Sequence, residues 1–527
     1  FYKNKIFYIE IDLKYMVSQG GGSLEKNNFY KKSFILSSSN ILTGVLGFVF
    51  SIILSKELGS EALGLYGLLM PIYNLFICLM CGGILASISR ITAVYFDNKY
   101  FNKVNLTMKT SMVFTLIWSL IIAIIVYTLA PIIAQFIIKD NRIITSIKII
   151  CPAMIFISIS NILKGYFYGT SQINVPSIID ILEKSMRIIV LIFVIKVFKF
   201  QTVESTVTAA YISICLGEFL SYIFLYAYYK KINSKYIDNR PANISKRSLL
   251  FDMLKIAFPL CINGLITTFL ATVTTLIIPR RLLKAGFDYS QALSLMGKFN
   301  GMALNIVLFP IIIISSISTL LIPDLSKSMN KNNIKTAEKR IREVIKIAFI
   351  LGLATLVICF VIPDELSYMF FKRNDLGNYI WFASLITPMF FISLTTYSIL
   401  NGLGKQNKIL RNSLICSFIE ISLIYFLAGF SKINIYSYAI AIFVDSCLSV
   451  ILNLREIKKT IKIQTEIPKY IIYILLSILM ILVLYLIKSY IPPKFELLQN
   501  LLIIFSGFSV FGITIVRDIR QRPFSFR

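Results

Sequence analysis

Along most of this chain, apolar residues run for about twenty positions at a time, broken by short polar connections rich in lysine and arginine. An α-helix needs ~20 apolar residues to cross the hydrocarbon core of a bilayer. The runs number about fourteen, at 32–55, 63–93, 110–138, 144–168, 174–198, 207–229, 251–279, 290–322, 344–362, 379–401, 409–429, 434–454, 469–490 and 498–516. The second and eighth exceed one crossing, so they are expected to tilt, kink or extend beyond the lipid. The predicted fold class is all-α: a polytopic membrane protein of about 14 transmembrane helices, in two pseudo-symmetric six-helix lobes plus two C-terminal helices.

The lobes follow from an internal likeness. Residues 163–183, LKGYFYGTSQINVPSIIDILE, align with two gaps to 400–420, LNGLGKQNKILRNSLICSFIE. Each stretch reads as a helix end, a Gly-containing turn and a following helix that carries Glu183 or Glu420. The first falls between runs four and five and the second between runs ten and eleven. An offset of six spans preserves orientation, so the repeat is parallel. The expected domains are an N-lobe at 32–229, a basic linker at 230–250, a C-lobe at 251–455 and an appended helix pair at 469–516. The polar segment 1–31, in which Met16 offers an internal start, is set apart from the fold.

Composition narrows the class. Hydrophobic residues make up 57% of the chain and charged residues 15%, with a mean hydropathy of +0.76, a balance foreign to soluble globular domains. The 54 Lys and Arg against 26 Asp and Glu do not point to nucleic acid, because the basic residues gather in alternate connections between runs. A positive-inside topology accounts for that distribution and places both termini in the cytoplasm. One connection on the outer side departs from it, holding Arg280, Arg281 and Lys284. The first run reads as a full span and not as a secretory signal.

Several chemistries are excluded. The chain has no histidine, which removes Ser-His-Asp and Cys-His catalysis and the commonest metal ligand. The eight cysteines are scattered through apolar runs, where such residues behave as small hydrophobes. Cys78-Leu79-Met80-Cys81 has a CxxC spacing but no second pair. There is no GxxxxGK[ST] loop for ATP and no sizeable polar loop that could bear an enzyme's catalytic residues. No catalytic residue, metal or cofactor is expected.

Candidate chemistry lies at membrane depth. Asp180, Glu183 and Arg187 in run five are spaced to share one helix face. A charge there costs roughly 2.5–3.5 kcal/mol on insertion scales, so it must face protein or water. A structural i,i+4 ion pair between Glu183 and Arg187 is the plain alternative. Cations suited to an anionic ligand are Arg90, Arg187, Arg280, Arg281 and, more weakly, Lys298. Asp180, Glu183, Glu218, Glu420 and Asp445 are candidates for charge balance or for binding a coupling Na+ or H+. Gly44, Gly47, Gly82, Gly83, Pro259 and Gly264 would let helices bend or pack closely.

These residues carry a resemblance. The stretch 278–327, marked by Pro279-Arg280-Arg281-Leu282, Ala285-Gly286, Gly297, Gly301-Met302, Pro310 and Leu321-Ile322-Pro323, resembles the stage V sporulation protein B family of bacterial polysaccharide-exporting flippases. Glu183-Lys184-Ser185-Met186-Arg187 is similar to that family's Glu-x-x-x-Arg, Gly217-Glu218 to its Gly-Glu, and Leu400 to Lys405 to its loop after helix ten. The likeness spans about 32–516. It implies the two-lobed fold shared with MATE exporters, Wzx-type flippases and the lipid II flippase MurJ. By the same resemblance, the chain would be a monomeric flippase of the bacterial cytoplasmic membrane. It would carry an undecaprenyl-pyrophosphate-linked sugar by alternating access, amid membrane lipid and with cell-wall synthesis proteins as partners, and it would have a link to sporulation. Runs thirteen and fourteen would then form a groove for the lipid tail.

Two other readings compete. A MATE-type cation-coupled multidrug exporter would favour acidic residues in the first and seventh helices, yet positions 33–54 hold no carboxylate and Asp252 sits at an edge of run seven. A membrane scaffold would use the basic loops as docking surfaces but leaves Arg187 unexplained.

Overall fold

The computed structural model describes residues 23–198, 202–234, 244–330, 333–461, 467–490 and 496–520. Segment 1–22 and positions 235–243 of the expected linker lie outside the described residues. Among the described residues there is no strand. The helices are α1 (Ser23–Cys81), α2 (Ile84–Asp97), α3 (Phe101–Ile132), α4 (Ile144–Gly169), α5 (Asn174–Phe198), α6 (Val203–Asn233), α7 (Lys246–Lys284), α8 (Tyr289–Met296), α9 (Leu304–Leu308) and α10 (Ile311–Asn330). They continue with α11 (Ile334–Val361), α12 (Pro363–Phe371), α13 (Gly377–Ser384), α14 (Thr387–Gly402), α15 (Gln406–Leu427), α16 (Tyr436–Lys458), α17 (Ile467–Tyr490) and α18 (Glu496–Arg520). π-helical turns extend α3 at Ile133–Ile138 and join α8 to α9 at Gly297–Ala303.

Every apolar run falls on one of these helices or on a broken pair of them. Among the described residues, ten helices are long and apolar enough to cross a membrane, or up to twelve if each of two bent pairs is one span. The figure of fourteen goes beyond what length and apolarity establish, for two reasons. Runs one and two merge into a continuous stretch, Ile35–Asp97, and α5 carries Asp180, Glu183, Lys184 and Arg187. The overlong second run is broken at Gly82–Gly83, where Gly83 takes a φ of 74°. The eighth run bends by 59° between Tyr289–Leu308 and Ile311–Ser326, around Pro310. The tenth, which gave no sign in its length, bends by 50° between α13 and α14.

The chain forms two compact units. One comprises the described residues of Leu42–Gly301 with Gly429–Lys432, and the other those before Leu42, those of Met302–Ala428 and those from Ile433 onward. Run seven and the start of run eight pack with the first unit. Glycines show why. A Cβ on Gly64 would overlap the Leu293 carbonyl, one on Gly297 the Ser60 carbonyl, and one on Gly83 would stand 2.5 Å from the Ala257 carbonyl and 2.8 Å from the Leu260 Cβ. Backbones this close are held by van der Waals contact that any side chain would disrupt. A Ser60–Ser294 hydroxyl pair at 2.7 Å closes the same seam.

In the first unit, α2, α4 and α6 surround a core of Ile84, Ile88, Ile162, Leu163, Tyr166 and Phe167. In the second, α11 is the central helix, with 78% of its apolar window buried. Gly352 on α11 admits the start of α14, whose Thr387 hydroxyl donates to the Gly352 carbonyl at 2.8 Å. The appended pair is fastened to this unit at both ends. Lys488 of α17 pairs with Glu365 at 2.6 Å and donates to the Val361 carbonyl at 3.0 Å. At the other end Asp518 of α18 accepts from Tyr473 and lies 3.7 Å from Lys346.

The repeated segments form the same turn. After α4, backbone N–H groups of Thr170, Ser171 and Gln172 donate to Tyr166, Tyr168 and Phe167. After α14, those of Leu403, Gly404 and Lys405 donate to Ile399, Asn401 and Leu400. Ser171 and Gly404 both take a left-handed φ, 59° and 70°. Each turn also follows a glycine crossing: Gly169 lies against the Ser89 carbonyl and Thr92, and Gly402 against the Ile322 carbonyl and Leu325. All these pairs keep one offset of 233 residues. In that register Glu420 stands where Arg187 stands, a correction to the gapped alignment with Glu183.

Gly169→Leu is expected to lower the melting temperature in detergent by several degrees, an overpacking cost of about 1–3 kcal/mol. Gly67→Ala, where nothing lies within 4 Å of the added methyl, should leave it unchanged or raise it. Equal melting of the two variants would refute a tight crossing at Gly169.

Candidate functional site

The spacing of charges in α5 puts Asp180, Glu183, Lys184 and Arg187 within two turns, and the packing of α4 and α6 on α5 decides their partners. Arg187 Nη2 meets Glu183 Oε1 one turn back and Glu218 Oε1 of α6 at 3.0 Å. Lys184 Nζ lies 3.2 Å from Glu183 Oε2, and Lys164 of α4 lies 2.6 Å from Asp180 Oδ1. The Arg187 guanidinium also stands 6.0 Å from the Phe50 ring centre, within the range of a cation–π contact. The side chains of Arg187, Glu183 and Glu218 are only 12%, 6% and 9% exposed.

Gly217 makes room for this cluster. A Cβ there would stand 3.4 Å from Glu183 Oε1 and 3.5 Å from Arg187 Cβ, so a larger side chain would push between the helices. The Nε of Arg187 is buried without a hydrogen bond. Lys164, Lys184 and Arg187 face Asp180, Glu183 and Glu218, so the fully ionised cluster is electroneutral. Arg187 is thus engaged by two carboxylates. A ligand anion would have to displace one of them or arrive when one is neutralised.

The other candidates stand elsewhere. Arg280 is exposed, and its Nη2 donates to the Ile137 carbonyl at 2.6 Å, closing the π-helical turn after α3. Arg281 packs its guanidinium on Gly429, where a Cβ would stand 2.5 Å from its Nη2. Arg90 on α2 and Lys298 in the π-helical turn before α9 are half-buried. Glu420 on α15 and Asp445 on α16 belong to the second unit, on helices that pack together, and neither pairs with a cation among the described residues. The structure therefore brings Asp180, Glu183, Arg187 and Glu218 together and leaves the rest outside that cluster.

Sequence reasoning missed Lys164, although a lysine inside run four was a signal. It also missed a polar knot at one end of the first unit. There Arg142 Nη1 meets Glu61 Oε1 at 2.8 Å, Arg142 Nη2 meets Asp140 Oδ2 at 2.8 Å, and Ser290 donates to Glu61 Oε2 at 2.7 Å. With Arg280 on Ile137, this knot joins connections that the charge pattern assigns to a single face of the membrane. In the second unit Arg411 shares Glu456 with Lys459, at 3.1 and 2.9 Å, over a buried Asn412–Asn453 pair.

Comparison with known proteins bears on this geometry. The family described as "Polysaccharide biosynthesis protein" matches residues 29–329, and the MatE family matches residues 299–426. Stage V sporulation protein B of Bacillus subtilis (strain 168) is 24% identical, over 85% of this chain and 87% of the relative. Lipid II flippase MurJ of the same organism is 22% identical, over 71% of this chain and 72% of its own. A solved structure of a lipid II flippase MurJ superposes with a TM-score of 0.69 at 16% identity, covering 92% of this chain and 99% of that one.

Removing one partner of a buried ion pair leaves a stranded charge that costs about 3–5 kcal/mol. Arg187→Gln and Glu218→Gln should each lower the melting temperature, and the double variant should lose less than the sum, with a coupling of about 0.5–3 kcal/mol. Additive losses in a double-mutant cycle would show that the two do not act as a pair.

Proposed function

Since the chain belongs to the polysaccharide biosynthesis protein family, of the superfamily that includes MATE transporters and MurJ, we propose that it is a flippase for a lipid-linked saccharide. It moves an undecaprenyl-pyrophosphate-linked cell-envelope precursor, lipid II or a similar one, from the inner to the outer leaflet by alternating access. The protein is a multi-pass component of the bacterial cytoplasmic membrane with both termini in the cytoplasm, and it works as a monomer.

The observation that carries this reading is the charge cluster around Arg187. All six of its charged side chains, on α5 and α6 and on α4 beside them, lie within apolar runs. Ionised groups at that depth mark a substrate or ion path. A pyrophosphate in a low-dielectric site needs permanently charged, multidentate donors, and a guanidinium supplies them. Arg187 is engaged by both Glu183 and Glu218 within a cluster that is neutral as a whole, so anion entry is coupled to release of a carboxylate. Arg90, Arg280, Arg281 and Lys298 serve as further contacts along the path. Glu420 and Asp445, without a cation partner among the described residues, are the carboxylates best suited to take up H+ or Na+ as the coupling ion. The groove for the lipid tail is formed by α17 and α18.

The match of residues 299–426 to the MatE family favours drug export as the second reading. The absence of a carboxylate between Ser33 and Leu54 weighs against it.

Purified protein offered lipid II, undecaprenyl phosphate and a cationic dye in competition should retain lipid II by native mass spectrometry. Arg187→Ala should weaken that retention at least tenfold, and Arg280→Ala should abolish transport without loss of abundance. Preferential retention of the dye would replace this reading with drug export.

A further inference from the structure

The one cysteine spacing that stood out in the sequence does not make a pair in space. Cys81 is buried, its thiol donating to the Ile77 carbonyl at 3.2 Å and accepting from Asn161 Nδ2 at 3.2 Å. Cys78 turns instead to the facing helix, α7. Its Sγ reaches the Cys261 carbonyl at 3.8 Å, and the Cys261 thiol donates back to the Cys78 carbonyl at 3.3 Å. Both residues are half-buried, and both are free thiols.

This reciprocity is built into the crossing. The Cys78 sulfur sits 2.8 Å from where a Cβ of Gly264 would be, and the Cys261 sulfur 3.1 Å from where a Cβ of Gly82 would be. Each thiol fills the space left by a glycine one turn along the opposite helix. A sulfur that touches the carbonyl of the facing cysteine is within a rotamer change of that cysteine's own sulfur. The backbones are close at this crossing, the Cys261 Cα lying 3.1 Å from where a Cβ of Gly82 would be, and a disulfide needs Cα atoms within about 4.4–6.8 Å. The crossing also lies beside the break at Gly82–Gly83, where the second run changes direction, and one turn from Pro259 on α7.

We propose that Cys78 and Cys261 form an oxidisable dithiol that locks α1 to α7 at this break. In the step, the two thiols lose two protons and two electrons and form one S–S bond. A diazene-type oxidant such as diamide takes them up, its N=N bond becoming HN–NH. A dithiol reductant reverses the reaction. The lock acts on transport only through the flippase reading above, since a covalent tie across the break would hold the two helices in one arrangement.

The test uses the full chain in liposomes, treated with diamide, alkylated with N-ethylmaleimide, digested and read by mass spectrometry. The wild type should yield a Cys78–Cys261 linked peptide that dithiothreitol abolishes. Cys78→Ser and Cys261→Ser should each lose it. In parallel, flipping of a lipid-linked saccharide should stop on oxidation of the wild type and return on reduction, while Cys78→Ser flips at the same rate throughout. Separate alkylation of both thiols after oxidation would overturn the pairing. A linked peptide with undiminished flipping would overturn the lock. Absence of flipping in every sample would count against the flippase reading and leave the linked peptide standing.

Discussion

The constraint on which the rest of this structure depends is close approach of helix backbones at glycine. Apolar side chains gain nothing by leaving lipid for one another, so membrane helices associate through van der Waals packing and polar contacts. Gly165 and Gly169 on α4 meet α2 with that geometry, and Gly402 on α14 meets α10 in the same way. The contact pairs sit at a constant offset of 233 residues, as do the turn hydrogen bonds that follow. A crossing preserved to the residue in both units fixes where α5 and α15 start, and thereby which faces their charged residues present.

That register gives the charge pattern its meaning. Arg187 and Glu420 occupy equivalent positions after the shared turn, yet they are opposite in sign and in surroundings. Arg187 is clasped by Glu183 and by Glu218 from the next helix. Among the described residues no cation pairs with Glu420, and another carboxylate, Asp445, stands on the helix packed beside it. A neutralised cation in one unit and uncompensated carboxylates in the other are different solutions to the cost of charge in an apolar medium. The two halves share this scaffold and differ in the chemistry they place on it.

Much of the architecture was legible because a bilayer restricts the solutions so severely. Each run of apolar residues had to be helical, and Glu183 and Arg187 had to share a face by spacing alone. What could not be read was tertiary. Glu218 was a candidate, but nothing in sequence told that it would reach Arg187, and Lys164 was hidden because its partner Asp180 lies on the next helix. The grouping of run seven with the first unit could not be read either, because the basic linker looked like a natural division. The small residues Ser60, Gly64 and Gly297, which tie run eight's start to the first unit, look like ordinary helix packing when met one at a time.

Run eight is where these constraints meet. Its first half is bound to the first unit by the Gly297–Ser60 approach, the Ser60–Ser294 pair and the bond from Ser290 to Glu61. Its second half, from Met302, belongs to the other unit. Along this stretch the helix has a π-helical turn at Gly297–Ala303 and a bend at Pro310. A π-turn inserts an extra residue into the hydrogen-bond ladder, and proline removes a donor from it. Both weaken the helix along this stretch, so the partners of its first half do not dictate the course of its second.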